Sequence, residues 1–140
     1  HFTASGFVVH PDGDRALLVH HAKLDLWVQP GGHVESTDVT LLGAAAREIT
    51  EETGLTELRP VTGALFDVDI HVFPERGDQP EHRHYDLRFA FVAPDAVPDI
   101  GPEVLDFDWL DLDAARRLGV DRSVIRPMTK ILAEGITSAP

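Results

Sequence analysis

Arg47-Glu48-Ile49-Thr50-Glu51-Glu52-Thr53-Gly54-Leu55 packs three glutamates and an arginine into six residues and then closes on a glycine. Leu42, Ala45, Ala46, Ile49 and Thr53 recur at helical spacing and predict a helix from about Thr40 to Thr53. Asp38 or Thr40 is the expected N-cap and Gly54 the stop. At about 100° per residue, Glu48, Glu51 and Glu52 share an arc of about 100°, bordering the stripe of Leu42, Ala45 and Ile49 that faces a core. Like charges four residues apart cost an isolated helix about 0.2–0.5 kcal/mol. Arg47, paired with Glu51 at that spacing, cannot neutralise all three acids. Two readings of such a face stand side by side: a solvated acidic surface, or oxygen ligands for a hard cation such as Mg²⁺ or Mn²⁺.

Upstream, Phe2 to Val9 and Arg15 to His20 read as strands of a β-hairpin around Pro11-Asp12-Gly13-Asp14. Asp12 and Asp14 serve that turn rather than a Ca²⁺ loop. Leu24 to Gln29 is a third short strand, stopped by Pro30 and the pair Gly31-Gly32, where φ values closed to other residues are open. Downstream, strands at Val61 to Phe73 and His84 to Val92 flank the polar connection Pro74 to His82, a loop suited to face a substrate. A breaker-rich link, Pro94 to Pro102, precedes a strand at Leu105 to Leu110 and helices at Asp111 to Leu118 and Ser123 to Ala133. This order predicts a layered α/β or α+β domain.

With 140 residues and 43% hydrophobic content, the chain suits one domain over 1–140. No apolar run approaches the roughly 20 residues that span a bilayer, and the start lacks a signal-peptide pattern, so the expected location is cytoplasmic and no membrane partner is expected. The chain begins at His1 rather than Met, as a processed chain or a fragment does. Without cysteine, any metal must be held by oxygen or imidazole. A net charge of −12 argues against a nucleic-acid polymer as partner. It does not oppose a small phosphorylated ligand, which bound cations attract locally.

Preceded by Gly32, the quoted stretch resembles the box of the Nudix family, G-x5-E-x7-R-E-U-x-E-E-x-G-U with U aliphatic. Arg47 through Leu55 matches every specified position of its second half. Asp38 stands where the first Glu belongs, and eight residues rather than seven separate it from Arg47, so the loop entering the helix is expected to bulge. The resemblance implies an α/β/α sandwich with a mixed sheet, the box helix on one face and the C-terminal helix on the other. It implies a Nudix hydrolase that uses Mg²⁺ or Mn²⁺ to cleave a diphosphate linkage in a nucleotide or nucleoside diphosphate derivative. Glu48, Glu51 and Glu52 would bind metal directly or through water, with the Gly31 carbonyl as a further ligand and Arg47 orienting a helix carboxylate. Glu103, six residues before Trp109 as in antimutator members, is the later carboxylate that such enzymes recruit; the other reading is an exposed loop acid. Glu48 is the first candidate for general base and Glu103 the second. Two alternatives remain: a non-catalytic module that senses a nucleotide, and a Nudix-fold isoprenoid diphosphate isomerase, which the lack of cysteine disfavours.

In His82-Arg83-His84-Tyr85-Asp86-Leu87-Arg88, strand alternation puts His82, His84, Asp86 and Arg88 on one face. That face is either a polar wall for phosphate or sugar, with Arg88 as a bidentate donor, or a solvated or hydrogen-bonded sheet surface. His33, His84, Asp86 and Arg88 are the substrate-binding candidates, His33 because it sits in the glycine turn. Trp27 and Trp109 are expected in the core rather than stacked on a base.

Overall fold

Among the residues described by the computed structural model, 1–133, the chain runs through β1 (Phe2–Val9), β2 (Ala16–His21), β3 (Leu26–Val28), β4 (Gly31–His33), α1 (Leu41–Thr53), β5 (Arg59–Pro60), β6 (Asp67–Phe73), β7 (His82–Val92), β8 (Val104–Leu110), α2 (Leu112–Arg117) and α3 (Arg122–Leu132). Residues 134–140, the end of the expected domain, lie outside the described residues. The sheet is mixed. β1 runs parallel to β7 from Phe2↔Tyr85 to Val9↔Val92, and every other strand pairing is antiparallel.

Strand alternation divides the core between the two faces of this sheet. Ala4 and Val8 of β1, Leu17 of β2 and Phe89 and Phe91 of β7 pack with Ala44, Ala45 and Ile49 of α1. Phe7 and Val9, Ala16 and Leu18, and Ala90 point the other way, onto Ala115 of α2 and Val124, Met128 and Ile131 of α3. The result is the expected α/β/α sandwich, with the acid-bearing helix on one face and the C-terminal helix on the other. Trp109 packs on the first cluster and Trp27 on the second. Among the described residues no helix is long and apolar enough to cross a membrane.

The first two strands form less of a hairpin than their turn suggests. They pair only at Val9↔Ala16; β2 then peels away to β8, and β1 gives that edge to β4 through Thr3↔His33, Ala4↔Gly32 and Ser5↔Gly31. A turn signal fixes where the chain reverses, whereas the sheet is set by which strands share buried faces. Of the stretch expected as one strand over 61–73, only Asp67–Phe73 is strand; the two-residue strand Arg59–Pro60 precedes it, and residues 61–66, which include Gly63, are irregular.

α1 begins and ends as its residues dictate. Thr40 is the N-cap, its Oγ1 accepting from Gly43 N at 2.9 Å, and Gly54 closes the helix at φ 72° with its N–H on the Thr50 carbonyl.

Candidate active site

Gly31 and Gly32 set the floor of the site, through what they lack rather than how they twist. Neither has positive φ; both lie in β4. A Cβ on Gly31 would stand 2.7 Å from Ser5 Cα in the paired strand, and one on Gly32 would stand 2.5 Å from Glu48 Oε2. Steric closeness, not the torsional freedom expected of the pair, therefore demands glycine here. It lets the Gly31 N–H reach Glu52 Oε1 at 3.0 Å, while Glu48 lies against Gly32.

Arg47 ties the entrance of α1 to its acids. Its Nε and Nη2 donate to the two oxygens of Asp38, each at 2.9 Å, Nη1 donates to Glu48 Oε1 at 2.9 Å and Glu51 Oε1 at 3.2 Å, and Nη2 also reaches the His33 carbonyl at 3.1 Å. The extra residue before the helix is absorbed in a turn in which Asp38 N donates to the Glu35 carbonyl and Asp38 Oδ2 accepts from Glu35 N. Asp38 thus meets Arg47 although it is shorter than glutamate and offset by one position. The guanidinium bonds hold its carboxyl down at about 2, aided by the Glu35 backbone contact.

The helix acids differ in environment. Glu52 is only 4% exposed, and its carboxyl is pushed up to about 7 by burial, against the opposing Gly31 N–H and with help from Glu48, Glu103 and Glu51. Glu48 is raised mainly by burial, with Arg47 opposing. Glu51 is exposed. A cleft of about 190 Å³ opens beside them, lined by Glu51, Glu52, Gly101, Pro102 and Glu103. Glu103 is exposed in a loop, and that loop is bound to the end of α1: Gly101 N donates to the Glu52 carbonyl at 3.0 Å and Asp99 N to that of Thr53 at 2.7 Å.

One residue at this cleft escaped sequence reasoning. Ligand atoms of His21, Glu52 and Glu103 lie within 4.8 Å of one another. The strand was expected to end at His20, and only the pairing of β2 with β8 reveals that its next residue meets Glu103. Among the described residues neither Glu52 nor Glu103 has an Arg or Lys ion-pair partner. A buried carboxylate and an exposed one, neither paired with Arg or Lys, beside an imidazole fit a divalent cation, which would supply the missing charge.

The β7 candidates divide. Asp86 accepts from Thr3 Oγ1 and Ser5 Oγ at 2.9 Å, from Gln29 Nε2 at 3.1 Å and from Arg88 Nε at 2.8 Å. Arg88 is 1% exposed, and its guanidinium also meets Asp67 and the Ser123 carbonyl. That carbonyl lacks its helical donor because Pro127, four residues on, has no N–H. Arg88 and Asp86 are therefore buried and hydrogen-bonded within the protein, the second of the two readings of this strand face. His84 and His33 remain nearer the surface, with ring centres 5.3 Å apart, and His82 and Phe73 stand 5.2 and 4.4 Å from His84. Burial first, then the neighbouring His33 and His82, lowers the His84 imidazole below its ordinary value. A larger, open depression lined by Asp69, His71, Asp121 and Arg126 holds no box residue.

A NUDIX domain family model matches residues 1–130. The chain belongs to the NUDIX family. This Nudix domain is 48% identical to the phosphatase NudJ of Escherichia coli K12 over 52 residues, 35% of this chain and 32% of that protein, so the match spans about a third of the curated relative. It superposes on a NUDIX-family hydrolase from Clostridium perfringens with a TM-score of 0.74 at 20% identity, covering 96% and 97% of the two chains. The E. coli dihydroneopterin triphosphate pyrophosphohydrolase gives 0.71 at 20% identity over 95% of each chain. A Francisella tularensis bifunctional NMN adenylyltransferase/ADP ribose pyrophosphatase, solved with AMP and a Mn ion, gives 0.66 at 23% identity, covering 96% of this Nudix chain and 41% of the other.

Proposed function

We propose that this protein is a metal-dependent hydrolase that cleaves a diphosphate linkage in a nucleotide or nucleoside diphosphate derivative, with Mg²⁺ or Mn²⁺ as cofactor. One observation carries the reading: Glu52, buried and without a cationic partner, faces Glu103 across a cleft that Glu51 also lines. A solvated acidic face would leave its carboxylates in water, where their charge costs little. Membership of a family with hydrolase relatives, one of them solved with AMP and manganese, supports the same chemistry.

Glu48, Glu51, Glu52 and Glu103, with the Gly31 carbonyl, would hold the cations. Once bound, these supply positive charge against the anhydride oxygens and acidify water. The chain's own groups do the rest. Arg47 donates to one oxygen of Glu48 and one of Glu51, which would orient these carboxylates before substrate arrives. Hydrolysis joins a water oxygen to phosphorus and breaks the bridging P–O bond; the proton released passes to a carboxylate, Glu48 in the first assignment and Glu103 in the second. Glu48 lies against Gly32 at the floor of the site, where Arg47 donates to its carboxylate. His33 and His84 would face the group beyond the diphosphate.

A panel of nucleoside triphosphates, ADP-ribose, nucleotide sugars and dinucleoside polyphosphates, followed by phosphorus NMR with Mg²⁺ or Mn²⁺, tests this. Two phosphorylated products from at least one member, formed only with metal, are expected. Tight binding of an intact nucleotide without turnover would overturn the proposal in favour of a sensing module, and a rearranged isoprenoid diphosphate would do so in favour of an isomerase.

A further inference from the structure

We propose that His21 is a nitrogen ligand to the cation held by Glu52 and Glu103, so that this position takes a first-row transition ion in preference to Mg²⁺. The inference rests on the reading above, in which these carboxylates hold a cation, and adds a donor and a selectivity that the carboxylates alone do not give.

Three elements converge to make the site. β2 pairs with β8 in regular antiparallel register from Ala16↔Leu110 to His20↔Asp106; then the register shifts, and His21 pairs with Val104, leaving Leu105 extra. Leu105 is 58% exposed, as the unpaired residue of a bulge. The shift pulls the start of β8 forward by one position, and Ala22 N closes it by donating to the Glu103 carbonyl at 3.0 Å. In a regular ladder His21 would meet Leu105 and Glu103 would lie farther along. Bulges beside functional sites commonly re-aim side chains in this way.

The direction of His21 follows from alternation. Leu17 packs on the α1 side of the sheet, so Val19 and His21 face that side too. His20 turns to the other face, where its ring stacks on Trp27 at 5.3 Å and 12°. His21 is thus directed at the face that carries Glu52, and Gly101 N on the Glu52 carbonyl fastens the Glu103 loop to the same helix. Each of the three donors is anchored through backbone hydrogen bonds of a different element, which makes the set preorganised rather than a chance meeting of long side chains.

Two carboxylates and an imidazole form a mixed oxygen and nitrogen donor set. Mg²⁺ favours oxygen ligands and retains its waters, whereas imidazole suits the later first-row ions, whose affinity for such sites rises from Mn²⁺ towards Cu²⁺. In the metal-free protein the His21 Nδ1 accepts from Leu24 N at 3.3 Å. Ligation through Nδ1 replaces that contact, and ligation through Nε2 moves the ring proton to Nδ1, which then no longer accepts. By either route the Leu24 amide loses its acceptor on loading.

Mn²⁺ bound at one equivalent to the intact protein, read by pulsed electron paramagnetic resonance, tests the assignment. Wild type should show coupling to an imidazole nitrogen, and His21→Gln should lose it. The variant's Mn²⁺ affinity should fall about 10- to 100-fold, and its Mg²⁺ affinity by much less. With diamagnetic Zn²⁺, the Leu24 amide resonance should shift in wild type. Mn²⁺ bound without nitrogen coupling in wild type would overturn the role of His21 while leaving the carboxylate reading intact. Failure of wild type to bind Mn²⁺ would overturn both. The Leu24 amide shift, read on wild type, reports on His21 itself and keeps the assignment testable even if the variant does not fold.

Discussion

The Gly32 Cα lies so close to the Glu48 carboxylate that an added Cβ would stand 2.5 Å from Oε2 and 2.7 Å from Oε1. The obstacle at Gly32 is the end of a movable side chain, whereas at Gly31 it is the Ser5 backbone. Gly32→Ala is therefore expected to displace Glu48 and lower kcat with little change in Tm. Gly31→Ala should destabilise the fold by about 1–3 kcal/mol. Thermal melts and initial rates on both variants check this; equal loss of stability in the two would contradict it.

Burial makes Glu52 a stability liability in the metal-free protein. Its folded carboxyl sits at about 7 against an ordinary 4.5, so its favourable contribution is complete below about pH 4.5 and is lost as pH rises through 7. Glu52→Gln, melted in EDTA, should have a higher Tm than wild type at pH 8 and a similar one at pH 4. A lower Tm at pH 8 would show that the carboxylate is better paired than its surroundings indicate.

Asp38 has the opposite sign. Its folded carboxyl lies at about 2 against an ordinary 3.8, so its contribution is complete above that ordinary value and fades as pH falls towards 2. Asp38→Asn should lower Tm at neutral pH and flatten the acid limb of the Tm profile between about pH 4 and 2. Arg47→Lys, which keeps the charge but loses the fork that meets Asp38 and Glu48 together, should reduce turnover by about 10- to 100-fold.

Arg88 is expected to matter for folding rather than recognition. Arg88→Met breaks the buried ion pair with Asp86, takes one donor from Asp67, which keeps Arg126, and leaves the Ser123 carbonyl without its donor, at a cost of about 3–5 kcal/mol in urea denaturation. Pro127→Ala returns a helical N–H to Ser123, so the double variant should lose less than the sum of the two single changes. Strict additivity would separate Arg88 from the gap left by Pro127.

Much of this was legible where local rules govern. The helix from Thr40 to Gly54 followed from its period, its cap and its stop, a layered domain from the order of strands and helices, and the two-faced sandwich from the family resemblance. What escaped depends on distant partners. Gly31 and Gly32 looked like a turn because glycine usually marks one; the need for space beside Ser5 and Glu48 exists only once β4 lies on β1 and α1 crosses above it. The polar strand face left Arg88 open as a phosphate donor or as part of a hydrogen-bonded sheet surface; the carbonyl orphaned by Pro127, which it satisfies, lies 35 residues away. His21 was hidden by a bulge, which no pattern within its own strand announces.

The central claim is that Glu52 belongs to a cation centre on which hydrolysis depends. Initial rates on the best substrate of the panel, for wild type and Glu52→Gln across a Mn²⁺ and Mg²⁺ titration, test it most directly. The account predicts no turnover in EDTA, recovery on adding metal, and a variant that folds normally yet turns over about 100-fold or more slowly at saturating metal. A variant as fast as wild type, or wild-type turnover that survives chelation, would contradict it.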